Sequence, residues 1–156
     1  MQLQVYLSGG MEFAEDNGAE WRSRLEVWLK NKLGHSCFNP VKASEELLST
    51  KYSGADFRDA KSSNFAKHRE IAKEIVSLDS TEIILRTDYL VCYYNESAQR
   101  GAGTKGELTV AAIFGKPVYL VKDMAIEKIP SWVIGCATEI FDNFESLQDF
   151  LLKKYK

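Results

Sequence analysis

The sequence predicts an α/β fold, a mostly parallel sheet enclosed between layers of helices. Strand-length apolar runs alternate with helical patterns along the chain, the signature of parallel sheets with crossover helices. Two of those runs, Tyr89 to Tyr94 and Pro117 to Val121, are almost wholly apolar, as strands covered on both faces are. The stretch from Asp88 to Val121 also reads as strand, polar glycine-rich loop, helix, short turn and strand, which is one βαβ unit.

The elements follow in order. Leu3 to Leu7 is β-branched and aromatic and ends on Ser8-Gly9-Gly10, so it predicts a first strand with a tight turn. Trp21, Leu25, Trp28, Leu29 and Leu33 recur at helical spacing over 17–33, with Gly34 as the C-terminal cap. Ser36 to Phe38 predicts a second strand, stopped by Asn39-Pro40. Residues 41–67 are polar with weak helical patches, and read either as a lid or pocket wall or as a surface insertion. His68 to Leu78 is helical, with Asp79-Ser80 read as a cap opening a further helical turn through Leu85. After the βαβ unit, Ile140-Phe141 is an edge strand and Phe144 to Tyr155 an amphipathic helix. The whole is a three-layer sandwich of flavodoxin-like or Rossmann-like kind, one domain over residues 1–156.

Bulk properties narrow the function. Hydrophobic residues make up 45% and charged residues 27% of the chain, and the net charge is −2. No basic patch or aromatic-interleaved basic run is present, which argues against nucleic acid as a partner. Cys37, Cys92 and Cys136 are odd in number, widely spaced and in apolar surroundings. They are expected to be reduced, buried thiols, without a zinc site or disulfide framework. The opening MQLQVYLSGG is too short and polar for a signal peptide, and no apolar run reaches membrane-spanning length. A soluble, cytoplasmic protein with no membrane partner is expected.

The chemistry centres on the loop after Tyr94. Gly101-Ala102-Gly103-Thr104-Lys105-Gly106 satisfies GxGxxG, but its first glycine is separated from the strand by Asn95 to Arg100, and the unit sits late in the chain. Those departures weigh against dinucleotide binding. A Walker-type loop fails because Gly106 is followed by Glu107, where lysine is required. Glu107 itself is the more informative residue. Read as a carboxylate in the first helical turn, it is expected to stay ionised under the helix dipole, which suits a nucleophile; a simple helix-start carboxylate is the alternative. Asp88 reads as a strand-entry residue capping local backbone. His35 and His68 have no partner spacing, and Lys105 reads as solvated.

Taken together, these pieces resemble the nucleoside 2-deoxyribosyltransferase family and its relatives, the nucleoside 5′-monophosphate N-glycosidases. The resemblance rests on Val5-Tyr6-Leu7-Ser8-Gly9-Gly10, Phe38-Asn39-Pro40, Asp79, Thr87-Asp88-Tyr89-Leu90-Val91, Gly103-Thr104 ahead of Glu107, Ala111, and Gly115-Lys116-Pro117-Val118. It implies a retaining attack by Glu107 on C1′ of a nucleoside or nucleotide sugar, with transfer of the sugar to another base or to water. By the same resemblance Tyr6 orients Glu107, Asp79 handles the proton at the leaving base, and Ser8, Gly9 and Gly10 line the base and sugar pocket. No metal or redox cofactor is implied. A homodimer or higher homo-oligomer is, with residues 41–67 and the region of Ser131-Trp132 contributing to pocket or interface.

The chain also departs from the family pattern. Gly101 stands six residues before Glu107, where the family has Asp or Ser to grip the 5′ group, and Thr109 replaces a glycine. Asp79 lies nine residues before Asp88 rather than eight, which puts Ser80 at the literal position. Ser97, Arg100 and Thr104, with the amides of Gly101 and Gly103, form a candidate anion site for a 5′-phosphate, or else Arg100 is a solvated loop residue. The rival from another class is a non-catalytic nucleotide-sensing module on the same fold.

Overall fold

The computed structural model describes residues 2–54 and 56–156. Five parallel strands, β1 (Gln4–Gly9), β2 (Ser36–Phe38), β3 (Tyr89–Tyr94), β4 (Val118–Lys122) and β5 (Glu139–Phe141), form one sheet in the order β2-β1-β3-β4-β5. Among the described residues they alternate with α1 (Ala19–Leu33), α2 (Pro40–Lys51), α3 (Ala60–Ser63), α4 (Phe65–Leu85), α5 (Glu96–Arg100), α6 (Gly103–Ile113), α7 (Ser131–Cys136) and α8 (Phe144–Tyr155). This is the three-layer, flavodoxin-like α/β sandwich that the sequence predicts.

Side chains of a strand point alternately to its two faces, and here both faces are covered. Tyr6, Leu90, Cys92, Tyr94, Val118 and Leu120 pack with Ile83 of α4, Leu108 and Ala111 of α6 and Val133 of α7. Val5, Leu7, Tyr89, Val91, Tyr119 and Val121 pack on the opposite face with Leu25 and Leu29 of α1 and Leu147 and Leu151 of α8. Double coverage is why β3 and β4 read as unbroken apolar runs.

Local chemistry sets the helix ends. Gly34 closes α1 in the left-handed region, with φ 69°, where a side chain would be strained. Asn39, Asn64, Asn95 and Asn143 open α2, α4, α5 and α8, each side chain accepting a hydrogen bond from an amide of the first turn. Pro40 follows Asn39 at the first helical position, where its missing N–H costs nothing. At the other end of the sheet Asp88 Oδ2 accepts from Gln4 N at 2.8 Å, so it caps the start of β1, far away in sequence, rather than the local backbone that the sequence suggests.

Three readings of the sequence change. The uncertain stretch 41–67 is helical over most of its described length, as α2, α3 and the start of α4. Asp79-Ser80 opens no new helix: both residues lie inside α4, which is continuous from Phe65 to Leu85. Glu107 is not in the first turn of its helix either. The loop after β3 contains α5, α6 starts at Gly103, and Glu107 is the fifth residue of α6.

Strand order reverses between β1 and β3, and the crevice outside the carboxyl ends of those strands is where sheets of this topology take ligands.

Candidate active site

β1 and α6 meet at that crevice. Tyr6 and Ser8 sit two residues apart on β1 and therefore share a face, the face covered by α6. Tyr6 Oη donates to Glu107 Oε2, and Ser8 Oγ donates to Glu107 Oε1 at 3.0 Å. The Tyr6 ring is fully buried and stacks on Phe38, centroids 5.2 Å apart, so the phenol has little freedom to turn away. Burial and the nearby carboxylates hold the phenol well above its ordinary pKa, and it remains a donor.

Glu107 opens onto a cavity of about 420 Å³ that is also lined by Gly9, Gly10, Asp79, Ser97, Gly101, Gly103 and Thr104. A second cavity of about 410 Å³, walled by α2 and by Phe57, Arg58 and His68, adjoins it. The two share Met11, Glu12, Ile75 and Asp79, so Asp79 stands at their junction. Described residues of the 41–67 stretch, from Val41 to Lys61, thus line a cavity.

The two carboxyl groups are in different electrostatic situations. Burial raises Glu107 to about 6, restrained by the Tyr6 hydrogen bond, the Arg22 cation and the Ser8 hydrogen bond. The expected helix-dipole effect is not what sets it: a fifth residue lies beyond the free amides of the first turn. Asp79 rises to about 8, first through burial and then through the charge of Glu107, with Tyr6 and Arg22 acting weakly the other way. Its Oδ1 is buried without a hydrogen-bond partner. Near neutral pH one group is therefore a carboxylate and the other an acid, the division that paired acid and nucleophile chemistry requires.

The remaining residues divide. Gly9 and Gly10 line the cleft, and a Cβ on Gly10 would overlap Ser97 Oγ and come within 2.7 Å of Ala98 N. Ser8 is buried and contributes through its bond to Glu107 rather than by lining the cavity. Ser97 Oγ is buried and unpartnered at the cleft wall, and Thr104 lies in the first turn of α6, which has no side-chain cap. Arg100 does not join them. Its guanidinium stacks over Phe13, 4.6 Å from the ring centroid, and it lines neither cavity.

Lys105 is not a solvated side chain: its Nζ donates to the carbonyls of Gln99 and Gly101 and straps the loop to α6. Thr109 accepts from Trp132 Nε1 at 2.9 Å, and Trp132 lines neither cavity. His68 lines the outer cavity, where its ring stacks on Phe57 at 4.3 Å, whereas His35 is buried against Tyr89 Oη at 2.9 Å.

Sequence reasoning missed Arg22, whose buried guanidinium lies behind the β1 turn. The signal was present, because Arg22 falls on the face of α1 defined by Leu25 and Leu29 and is a charged residue at a core position. Met11, Glu12 and Ile75 carried no such signal. Among the described residues no group of three or more His, Cys, Asp or Glu is placed to hold a metal ion, and no helix is long and apolar enough to cross a membrane.

In comparisons with known proteins, no protein-family model matches the chain, and no curated protein matches it significantly.

Proposed function

We propose that this protein cleaves or exchanges the N-glycosidic bond of a nucleoside, deoxynucleoside or nucleoside 5′-monophosphate through a glycosyl-glutamate intermediate. The observation that carries the reading is the held carboxylate: Glu107 is fixed through both oxygens by Tyr6 and Ser8 and opens onto the same cleft as Asp79. A pure binding site has no need of an ionised carboxylate oriented by two donors beside a protonated acid.

The chemistry follows from those positions. Glu107 attacks C1′ of the sugar as the C1′–N bond breaks, and the departing base takes the proton of Asp79. The ester at C1′ is then attacked by water or by a second base on the face that the first base left, opposite Glu107. Asp79, now ionised, accepts the proton released in that step, and Glu107 leaves as the carboxylate. Both protonation states coexist between about pH 6 and pH 8, which defines the working window of the coupled pair. On this reading the 5′ end of the sugar is assigned to the part of the cleft lined by Ser97, Gly101, Gly103 and Thr104. There the uncapped amides of α6 and the unpartnered Ser97 hydroxyl favour a phosphate or hydroxyl oxygen.

The test is a panel of nucleosides and 5′-monophosphates, incubated with and without an acceptor base and followed by chromatography. Base release or exchange that disappears in Glu107→Ala supports the proposal. Tight nucleotide binding without turnover, unchanged in that variant, overturns it in favour of a non-catalytic nucleotide sensor.

A further inference from the structure

Arg22 is the largest fully buried side chain among the described residues. It projects from α1, the helix that packs with Leu7 on the sheet face opposite to Tyr6 and α6. Its Nε donates to Leu7 O at 3.0 Å, Nη2 to Gly9 O at 2.8 Å and Nη1 to Gly18 O at 2.9 Å. Longer contacts reach Asn17 O at 3.4 Å and Gly10 O at 3.5 Å. The guanidinium thus ties the end of β1 to the start of α1 through carbonyls at both ends of their connection, and Gly9 and Gly10 there line the cleft.

Every one of these partners is neutral. Among the described residues Arg22 has no carboxylate at ion-pair distance, and a buried cation without a counter-charge is costly unless a charge of opposite sign lies within its field. Burial pulls the guanidinium below its ordinary pKa, and the strongest influence holding it charged is Glu107, ahead of Tyr6, Cys92 and Asp16. The influence is mutual, since Arg22 favours the anionic form of Glu107.

We propose that Arg22 is a positioning residue for the candidate nucleophile: its buried guanidinium clamps the carbonyls of Leu7 and Gly9 on either side of Ser8, the donor to Glu107 Oε1, and so sets an unpaired cation against the strand that holds the carboxylate. The assignment of Glu107 as nucleophile rests on the function proposed above. The coupling of the two charges does not.

Other groups also face Glu107. Tyr6 and Ser8 of β1 hydrogen-bond to it and favour its charged form, and its charge in turn raises Asp79 of α4 and Cys92 of β3. Glu12 on the cleft rim is paired with Lys61 at 3.0 Å, and Lys105 of α6 is tied to loop carbonyls. Arg22 is the cation acting on Glu107 from α1.

Two measurements test this, and neither uses substrate. In protein carrying 13C-labelled glutamate side chains, the Glu107 carboxyl is assigned by its loss in Glu107→Gln and followed from pH 4 to pH 9. Arg22→Gln is expected to raise the Glu107 midpoint by about one pH unit, a tenfold change in its ionisation. Arg22→Lys, which keeps the charge but not the fork of donors, leaves the midpoint close to that of the unaltered protein. An unchanged midpoint in Arg22→Gln overturns the proposal.

The second measurement needs no variant of Arg22. In the unaltered protein the Arg22 Nε–H resonance is expected to shift with pH at the Glu107 midpoint and to lose that transition in Glu107→Gln. A flat resonance, or a transition that persists in Glu107→Gln, overturns the proposal even if Arg22→Gln does not fold. Absence of base release from every substrate sinks the glycosidase reading alone and leaves these two results standing.

Discussion

Replacing Tyr6 by Phe isolates the hydroxyl that holds Glu107. The ring keeps its stack on Phe38 and its place in the core, and the change removes one of the two hydrogen bonds to the carboxylate. A hydrogen bond to a charged acceptor is worth about 1.5–3 kcal/mol. At 1.36 kcal/mol per pKa unit its loss raises the carboxyl by about one to two units. Glu107, at about 6 in the unaltered protein, then titrates at about 7–8, in the range of Asp79 at about 8.

The acid edge of the interval in which Glu107 is ionised while Asp79 is protonated moves up by that amount, and loss of the phenol also lifts Asp79 at its alkaline edge. The pH profile of base release, recorded from pH 5 to pH 9 on whichever substrate turns over, should lose its acid side. Activity at pH 6 is expected to fall by about tenfold or more, and the loss should be smaller near pH 8. A Tyr6→Phe profile that is lower but identical in shape to the unaltered one would falsify the role given to the phenol.

Asp79→Asn should lower base release by about 10²–10⁴-fold with ordinary bases and far less with a nitrophenyl glycoside, whose leaving group needs no proton. The same variant reports on stability. Asp79 has its pKa raised by folding, so its contribution is complete below the unfolded value of 3.8 and is lost as pH rises through about 8. The gain in melting temperature of Asp79→Asn over the unaltered protein is therefore expected to grow from pH 4 to pH 8 and level off above, as read by thermal melts. A gain independent of pH would contradict the burial of that carboxyl. Gly10→Ala drives a methyl group into Ser97 and the Ala98 amide, and nucleoside affinity measured by calorimetry should fall with it; retained affinity would remove the turn from the binding surface. Arg100→Ala should leave 5′-monophosphate binding within about twofold, because its guanidinium stacks on Phe13 and lines neither cavity, and a larger loss would return Arg100 to the anion site.

The order of elements was legible in the sequence because it is written in local periodicity and punctuation. Alternating apolar runs, Gly34, Asn39-Pro40 and the 144–155 helix each act within a few residues, and the structure follows them closely. Where local signals were weak they misled. Polar residues 41–67 hid α2, and Asp79-Ser80 imitated a cap inside a long helix, since Asp and Ser are favoured at helix starts wherever they occur. Glu107 was picked out by its place after the glycines, but its environment was misjudged by one helical turn.

By itself the sequence determined a parallel α/β domain and a small set of polar residues gathered after β1 and β3, because strand alternation and turn chemistry are properties of neighbours along the chain. Only the tertiary structure decided that Tyr6 and Ser8 grip Glu107 across a hundred residues, that Arg100 stacks on Phe13, and that Arg22 is buried against the β1 backbone. Hydrogen bonds and pKa shifts of that kind depend on distance and burial, and those exist only once the sheet has brought β1 beside β3 and α6 over β1.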